Sequence, residues 1–164
     1  MPTRNLYLIV GPSGVGKSTV VNSLSKFGYT EALSYTTRVP RGATDTAYHF
    51  ISKQEFERLP DLVESVCYCG NYYGVTAQEL DAHDLCIVNI EGVQHLHEKY
   101  RGRPIIVLGL TAPLEILRER LCGRLDIEQR LQNDLIAFSS LQEVADTVVE
   151  AVNPEQTLYD VLTL

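Results

Sequence analysis

The sequence predicts an α/β fold: a mainly parallel β-sheet covered by helices on both faces, with a smaller mixed lobe inserted into it. Three observations predict it. Short apolar runs at Leu6–Val10, Leu85–Ile90 and Ile105–Leu110 have the length and uniform hydrophobicity of strands buried on both faces. Between and after them lie segments with apolar residues at helical spacing, and that alternation points to parallel strands joined by helical crossovers. Residues 33–76 break the rhythm with many tyrosines, short polar alternation and one small helix, and read as an insertion.

Each element has its own signal. After the first strand, Val20, Val21, Leu24 and Phe27 recur at helical spacing from Lys17, and Gly28 is placed to stop that helix. Ser52-Lys-Gln-Glu55 and Thr76-Ala-Gln-Glu79 are capping-box sequences, each announcing a short helix. Pro113–Leu121 reads as helical. A longer helix follows Asp126, with Ile127, Leu131, Leu135 and Phe138 on one stripe. Thr147–Val152 is expected as a last strand, and Pro154 opens a terminal helix. No repeat, linker or low-complexity tract interrupts the chain. The expected organisation is therefore one domain over residues 1–164, with a core of about 1–32 and 77–164 around a lobe of about 33–76.

Composition narrows the function classes. The 164 residues are 45% hydrophobic, enough at this size to bury roughly 70% of the unfolded chain's surface. A formal net charge of −7 speaks against a general nucleic-acid partner, so any anion site has to be a local cluster of cations. The first apolar run is too short for a signal peptide, and no later run approaches about 18 residues. A cytoplasmic protein with no membrane partner is expected. Cys67, Cys69, Cys86 and Cys122 show no paired C-x-x-C spacing and are expected as buried, reduced thiols. His95 and His97, two apart on a helix, do not share a face, which argues against a zinc site with Cys67 and Cys69. No sequence feature sets the oligomeric state.

The most specific motif runs from Gly11 to Ser18. Gly11-Pro12-Ser13-Gly14-Val15-Gly16-Lys17-Ser18, followed by Thr19, fits G-x-x-x-x-G-K-[ST], with an expected strand before it and helix after it. Its glycines allow backbone N–H groups to close around phosphate oxygens at a helix N-terminus. Lys17 then reaches the β- and γ-phosphates, and the Ser18 hydroxyl is a Mg²⁺ ligand. A purine nucleoside triphosphate with Mg²⁺ is the expected occupant.

A second anion site is announced by SYTTRVPR at 34–41, where only Val39 and Pro40 separate Arg38 from Arg41. Like charges that close require an anion between them. This stretch, followed by AYHF at 47–50, VES at 63–65 and GNYYG at 70–74, resembles the guanylate kinase family in order and approximate spacing. The resemblance runs from Leu6 to about Arg130. It implies a three-layer P-loop NTPase fold with a central parallel sheet, an inserted mixed α+β lobe that binds the nucleoside monophosphate, and a short lid. It further implies an enzyme that phosphorylates GMP, with dGMP a second acceptor, using ATP and Mg²⁺.

By position, the resemblance assigns Ser34, Arg38, Arg41, Tyr48 and Tyr73 to the acceptor's α-phosphate. Two forked guanidiniums and three hydroxyls suit that group. Glu64 matches the carboxylate that accepts the guanine N1–H and N2–H. LRERLCGRLDIEQRL at 117–131 resembles the family's lid, with Arg124 and Arg130 as its phosphoryl-transfer arginines and Lys17 and Arg38 completing the catalytic set. Arg120 is a weaker match, and Arg118 and Arg120 are expected as surface charges balanced by Glu115 and Glu119.

Three positions depart from the family pattern. The lid, about 122–130, has only Leu125–Gln129 between its arginines. Val75 stands where the family carries a Ser or Thr that helps recognise guanine, with Thr76 beside it as a substitute. VNIEG at 88–92 replaces a pair of aspartates, leaving Asn89 and Glu91, the latter assigned to the acceptor base or a metal-bound water. These departures keep other readings in view. A related family makes ribose 1,5-bisphosphate into a higher phosphate and shares YYGV and an asparagine like Asn89, but is not expected to keep SYTTRVPR with Glu64. A kinase for another nucleoside monophosphate is a further alternative. Guanylate-kinase-like scaffold modules bind phosphorylated peptides without catalysis, and typically lack an intact P-loop.

Overall fold

A computed structural model describes residues 5–123 and 126–163. Nine strands and eight helices follow one another in it: β1 (Leu6–Val10), α1 (Lys17–Ser25), β2 (Glu31–Ala32), β3 (Tyr35–Thr36), β4 (His49–Phe50), α2 (Lys53–Phe56), β5 (Leu62–Tyr68), β6 (Asn71–Thr76), α3 (Ala77–Ala82), β7 (Leu85–Ile87), α4 (Ile90–Lys99), β8 (Ile105–Thr111), α5 (Leu114–Arg120), α6 (Ile127–Ala137), α7 (Leu141–Val144), β9 (Thr147–Glu150) and α8 (Pro154–Leu162). Strands β2-β7-β1-β8-β9 form a five-stranded, wholly parallel sheet. The four strands β4-β3-β6-β5 form a second, mixed sheet within residues 35–76.

The central strand explains why its sequence is apolar throughout. Leu6, Leu8 and Val10 pack in one cluster with Leu80, Val93 and Leu96, while Ile9 packs in another with Val20, Val21, Leu24, Leu117 and Leu131. Successive strand residues point to opposite faces, so a strand covered on both sides has no polar position. Each such leucine contributes about 1.5–3 kcal/mol by leaving water. The first cluster also takes Val63 of β5 and Val75 of β6, so the second sheet is rooted in the same core.

Several expectations are corrected. The run Leu85–Ile90 is a strand only to Ile87, because the Asn89 side chain caps α4 by accepting the Gly92 N–H at 2.7 Å, which commits Ile90 to the helix. Helix α1 ends at Ser25, leaving Phe27 exposed, while Gly28 turns the chain at φ +83°. Leu131 is buried but Leu135 is exposed, so the α6 stripe is narrower than its periodicity suggests. Ser52 and Glu55 form a complete capping box. At Thr76 the hydroxyl accepts the Glu79 N–H, but the Glu79 carboxylate reaches instead to His49, at 3.1 Å, and His83. Of the four thiols, all free, only Cys86 is buried; Cys67, Cys69 and Cys122 are exposed.

Candidate active site

Gly11 to Gly16 connects β1 to α1, and α1 begins at Lys17 with Gly16 as its N-cap at φ +106°. A side chain at that φ is strained even where space is free, which is why glycine stands there. The Lys17 ammonium is drawn back over the loop, donating to the Gly11 carbonyl at 2.6 Å and the Pro12 carbonyl at 3.0 Å. Burial lowers its pKa to about 8, against an opposing pull from the Asp134 carboxylate.

The loop and the first turn of α1 line a cavity of about 400 Å³ that Ser18 and Thr19 also border. Its other wall is Arg120 with the start of α8, at Pro154 and Thr157. Arg120 is no solvated surface charge. Its guanidinium donates to the Val15 carbonyl at 3.0 Å and the Val152 carbonyl at 2.8 Å, tying α5 to the loop and to the segment before α8. Arg118 takes the role expected of both, pairing with Glu128 at 2.9 Å.

Arg130 lies half-buried on α6, with Nη1 at 3.5 Å from Ser13 Oγ and Nη2 at 3.6 Å from Asp126. Arg124, the other expected transfer arginine, lies outside the described residues.

The SYTTRVPR segment occupies β3 and the loop after it. Arg38 sits with its guanidinium 5.4 Å from the Tyr48 ring centre and 5.2 Å from that of Phe50. Tyr48 in turn meets Tyr73 edge-on at 5.5 Å. Arg38, Tyr48 and Tyr73 are thus brought together. Burial and the neighbouring Tyr73 raise the Tyr48 pKa, so its phenol stays a hydroxyl. Ser34 is half-buried, its carbonyl accepting the His49 N–H, and Arg41 is exposed. The anion that sequence reasoning missed is Asp45. One of its oxygens accepts from Arg38 Nη2 and from the Arg41 backbone N–H, each at 3.0 Å. These bonds, led by that of Arg41, hold the Asp45 carboxyl below the usual carboxylate range.

Glu64 lies on β5 against α4, 9% exposed, opposite Val75. A Cβ at Gly92 would stand 3.6 Å from Glu64 Cγ, so glycine at the start of α4 lets the helix approach the carboxylate. Burial raises the Glu64 pKa; His95 and Lys99 on α4 pull it down and Glu91, exposed in the first turn, pushes it up. Among the described residues, no hydrogen-bond donor meets the Glu64 carboxylate. His95, which the sequence offers only as half of a metal pair with His97, has a buried Nδ1 that meets no partner among the described residues. Val75 is fully buried in the core and presents nothing polar, and the neighbouring Thr76 hydroxyl is engaged at the cap of α3.

With this geometry in hand, comparison with known proteins is decisive. The sequence profile described as guanylate kinase matches residues 3–163. The chain belongs to the guanylate kinase family. It is 30% identical over 162 residues to a guanylate kinase of Chlamydia felis, covering 90% of this chain and 78% of that one. To a guanylate kinase of Paraburkholderia xenovorans it is 32% identical over 164 residues, covering 91% and 72%. The crystal structure of guanylate kinase from Anaplasma phagocytophilum superposes with a TM-score of 0.74 at 22% identity, over 99% of this chain and 85% of that one. An unliganded sugar kinase from Janibacter shares the fold at a lower TM-score of 0.58 and 19% identity. The parallel sheet, the P-loop and the mixed second sheet are the family's α/β fold. Among the described residues, no helix is long and apolar enough to cross a membrane, and no cluster of three or more His, Cys, Asp or Glu side chains is arranged to hold a metal.

Proposed function

We propose that the protein transfers the terminal phosphoryl group of ATP to GMP, forming ADP and GDP, with Mg²⁺ accompanying the ATP. The observation that carries this reading is Glu64: a largely buried glutamate that takes no hydrogen bond from a protein donor among the described residues, in a chain that also has a complete phosphate loop. An ionised carboxylate only accepts hydrogen bonds. Guanine offers it N1–H and N2–H side by side, whereas adenine presents an acceptor at N1. Burial already disfavours the charged carboxylate, and the two N–H donors of guanine stabilise it where adenine does not.

In this reading the lobe of about 33–76 is the acceptor half, the core holds the donor, and residues of about 122–130 close over both. The ATP phosphates lie along the loop Gly11–Thr19, on backbone N–H groups that every residue there but Pro12 carries, and Lys17 leaves the loop carbonyls for them. Arg120 and the start of α8 border the space for the nucleoside. Ser34, Arg38, Arg41, Tyr48 and Tyr73 hold the GMP phosphate, which takes Arg38 from Asp45. Glu64 reads the base with Glu91 nearby. An oxygen of the GMP phosphate bonds to the γ-phosphorus as the bond from that phosphorus to the ADP oxygen breaks. Arg130, Arg124 and Lys17 meet the charge that spreads over the moving group.

Ser18 is the residue that would hold Mg²⁺. Among the described residues no carboxylate lines the cavity, and a single protein oxygen suits a cation that keeps several waters and otherwise takes phosphate oxygens. When bound, that ion neutralises the β- and γ-phosphates. We place the reaction in the cytoplasm, where exposed free thiols such as Cys67 and Cys122 persist.

The test is ADP formation from ATP and Mg²⁺ with GMP, AMP, CMP, UMP and ribose 1,5-bisphosphate offered separately. GMP is expected to support turnover far above the rest. Turnover on ribose 1,5-bisphosphate in its place would reassign the acceptor, and GMP binding without turnover on any acceptor would leave a phosphopeptide-binding module.

A further inference from the structure

Asp134 stands four residues after Arg130 on α6, so both project from one face of that helix. That face meets the phosphate loop at Ser13. The Ser13 backbone N–H donates to Asp134 Oδ2 at 2.7 Å, across 121 residues of sequence. The Arg130 guanidinium approaches the hydroxyl of the same serine. Asp134 is also the charge that opposes the loss of the Lys17 proton, so its field reaches the ammonium. A carboxylate is thus seated where the loop presents an N–H group and a cation.

We propose that Asp134 is a further residue of the donor site: an internal anion that occupies part of the phosphate loop until the nucleotide displaces it. The proposal rests on the reading that ATP binds this loop. A polyphosphate and a carboxylate cannot both take the Ser13 N–H, and at that distance they repel each other. ATP binding therefore breaks the Asp134–Ser13 bond. Two effects follow. The displaced contact lowers the affinity for ATP below what the loop alone would give. It also frees α6 from one of its ties to the loop, so that the helix carrying Arg130 responds to whether the loop is filled.

The test uses the full chain and its Asp134→Asn and Asp134→Ala variants, with MgATP and GMP affinities measured separately by calorimetry. Because hydrogen bonds to charged groups are among the stronger ones, removing this competitor should tighten ATP binding by about tenfold. GMP affinity should not change. Asn keeps the shape and one acceptor while removing the charge; Ala removes both, and is expected to shift affinity the same way. The nucleotide-free variants should also unfold at lower temperature than the wild type, a deficit that disappears at saturating ATP. Unchanged or weaker ATP binding by both folded variants would overturn the proposal. If the wild-type chain itself fails to bind ATP, the donor-site reading falls and takes this inference with it, a result distinct from equal affinities.

Discussion

Arg38 and Asp45 are joined side chain to side chain at 3.0 Å, and the same Asp45 oxygen binds the Arg41 backbone N–H. This answers the charge problem posed by two arginines so close in sequence. The loop carries its own anion, which holds the guanidinium proposed to bind the acceptor phosphate. Arg38→Ala should raise KM for GMP by roughly 10- to 100-fold, the worth of a hydrogen bond to a charged group, and leave KM for ATP nearly unchanged. Steady-state kinetics with each substrate varied in turn checks this. Equal loss for both substrates would contradict the assignment of two separate sites.

In the proposed reading, base recognition by Glu64 is sensitive to its charge. Glu64→Gln replaces one acceptor oxygen with a donor that meets the guanine N–H groups head-on. KM for GMP should rise by about 10- to 100-fold, and discrimination against AMP should shrink. Because burial raises the pKa of Glu64, the carboxylate takes up its proton at higher pH than an ordinary glutamate. The wild type should therefore lose GMP affinity on acidification toward that raised pKa, with His95, Lys99 and Glu91 as the neighbouring charges. A Glu64→Gln profile that falls in parallel would assign the pH effect to another group.

Lys17 gives the opposite limb. With a pKa near 8 in the folded protein against an ordinary 10.5, the ammonium is lost from the ligand-free chain above about pH 8. ATP affinity should weaken as pH rises through that value, and Lys17→Met should bind ATP poorly with a flat profile. For stability the sign is reversed. The folded state binds fewer protons than the unfolded state between about pH 8 and 10.5, so this residue's contribution rises with pH across that window. Denaturant titrations of wild type and Lys17→Met at pH 7.5 and 9.5 read the difference.

Two glycines separate loop chemistry from loop strain. Gly16 and Gly28 both have positive φ, +106° and +83°, and a Cβ at either would meet no atom within 4 Å. Alanine at each should cost about 1–3 kcal/mol through backbone strain alone. Gly16→Ala should also raise KM for ATP, because the strained residue caps the helix beneath the phosphates. Gly28→Ala should lower Tm and leave both KM values alone.

The sequence made the donor loop legible because its chemistry is contiguous: eight residues, one strand before and one helix after. The long buried strands were legible because covering both faces of a sheet leaves no polar position to blur the pattern. Strands β2, β3 and β4 are two residues each, too short to show a period, and exist only through partners such as Tyr35 opposite Gly74. The end of β7 was misplaced because Asn89 can either continue a strand or cap a helix, and the Gly92 N–H decides. Leu135 fits the helical stripe yet faces water, since periodicity marks a face without saying how wide its cover is. Asp45 and Asp134 were missed for a common reason. A carboxylate's significance lies in the donor it reaches, and for Asp134 that donor is 121 residues away. Its spacing of four from Arg130 was the available hint.

The roots of the mixed sheet carry a last consequence. Val63 and Val75 flank Glu64 across β5 and β6 and are packed with Leu8, Val93 and Leu96 of the main core. The carboxylate proposed to distinguish one base from another is therefore bolted to the foundations, whereas Arg38 and Tyr48 hang on a loop between two-residue strands. Damage deep beneath β1, at Val93 for instance, should be felt as confusion over which base to accept before it is felt as a weaker grip on phosphate.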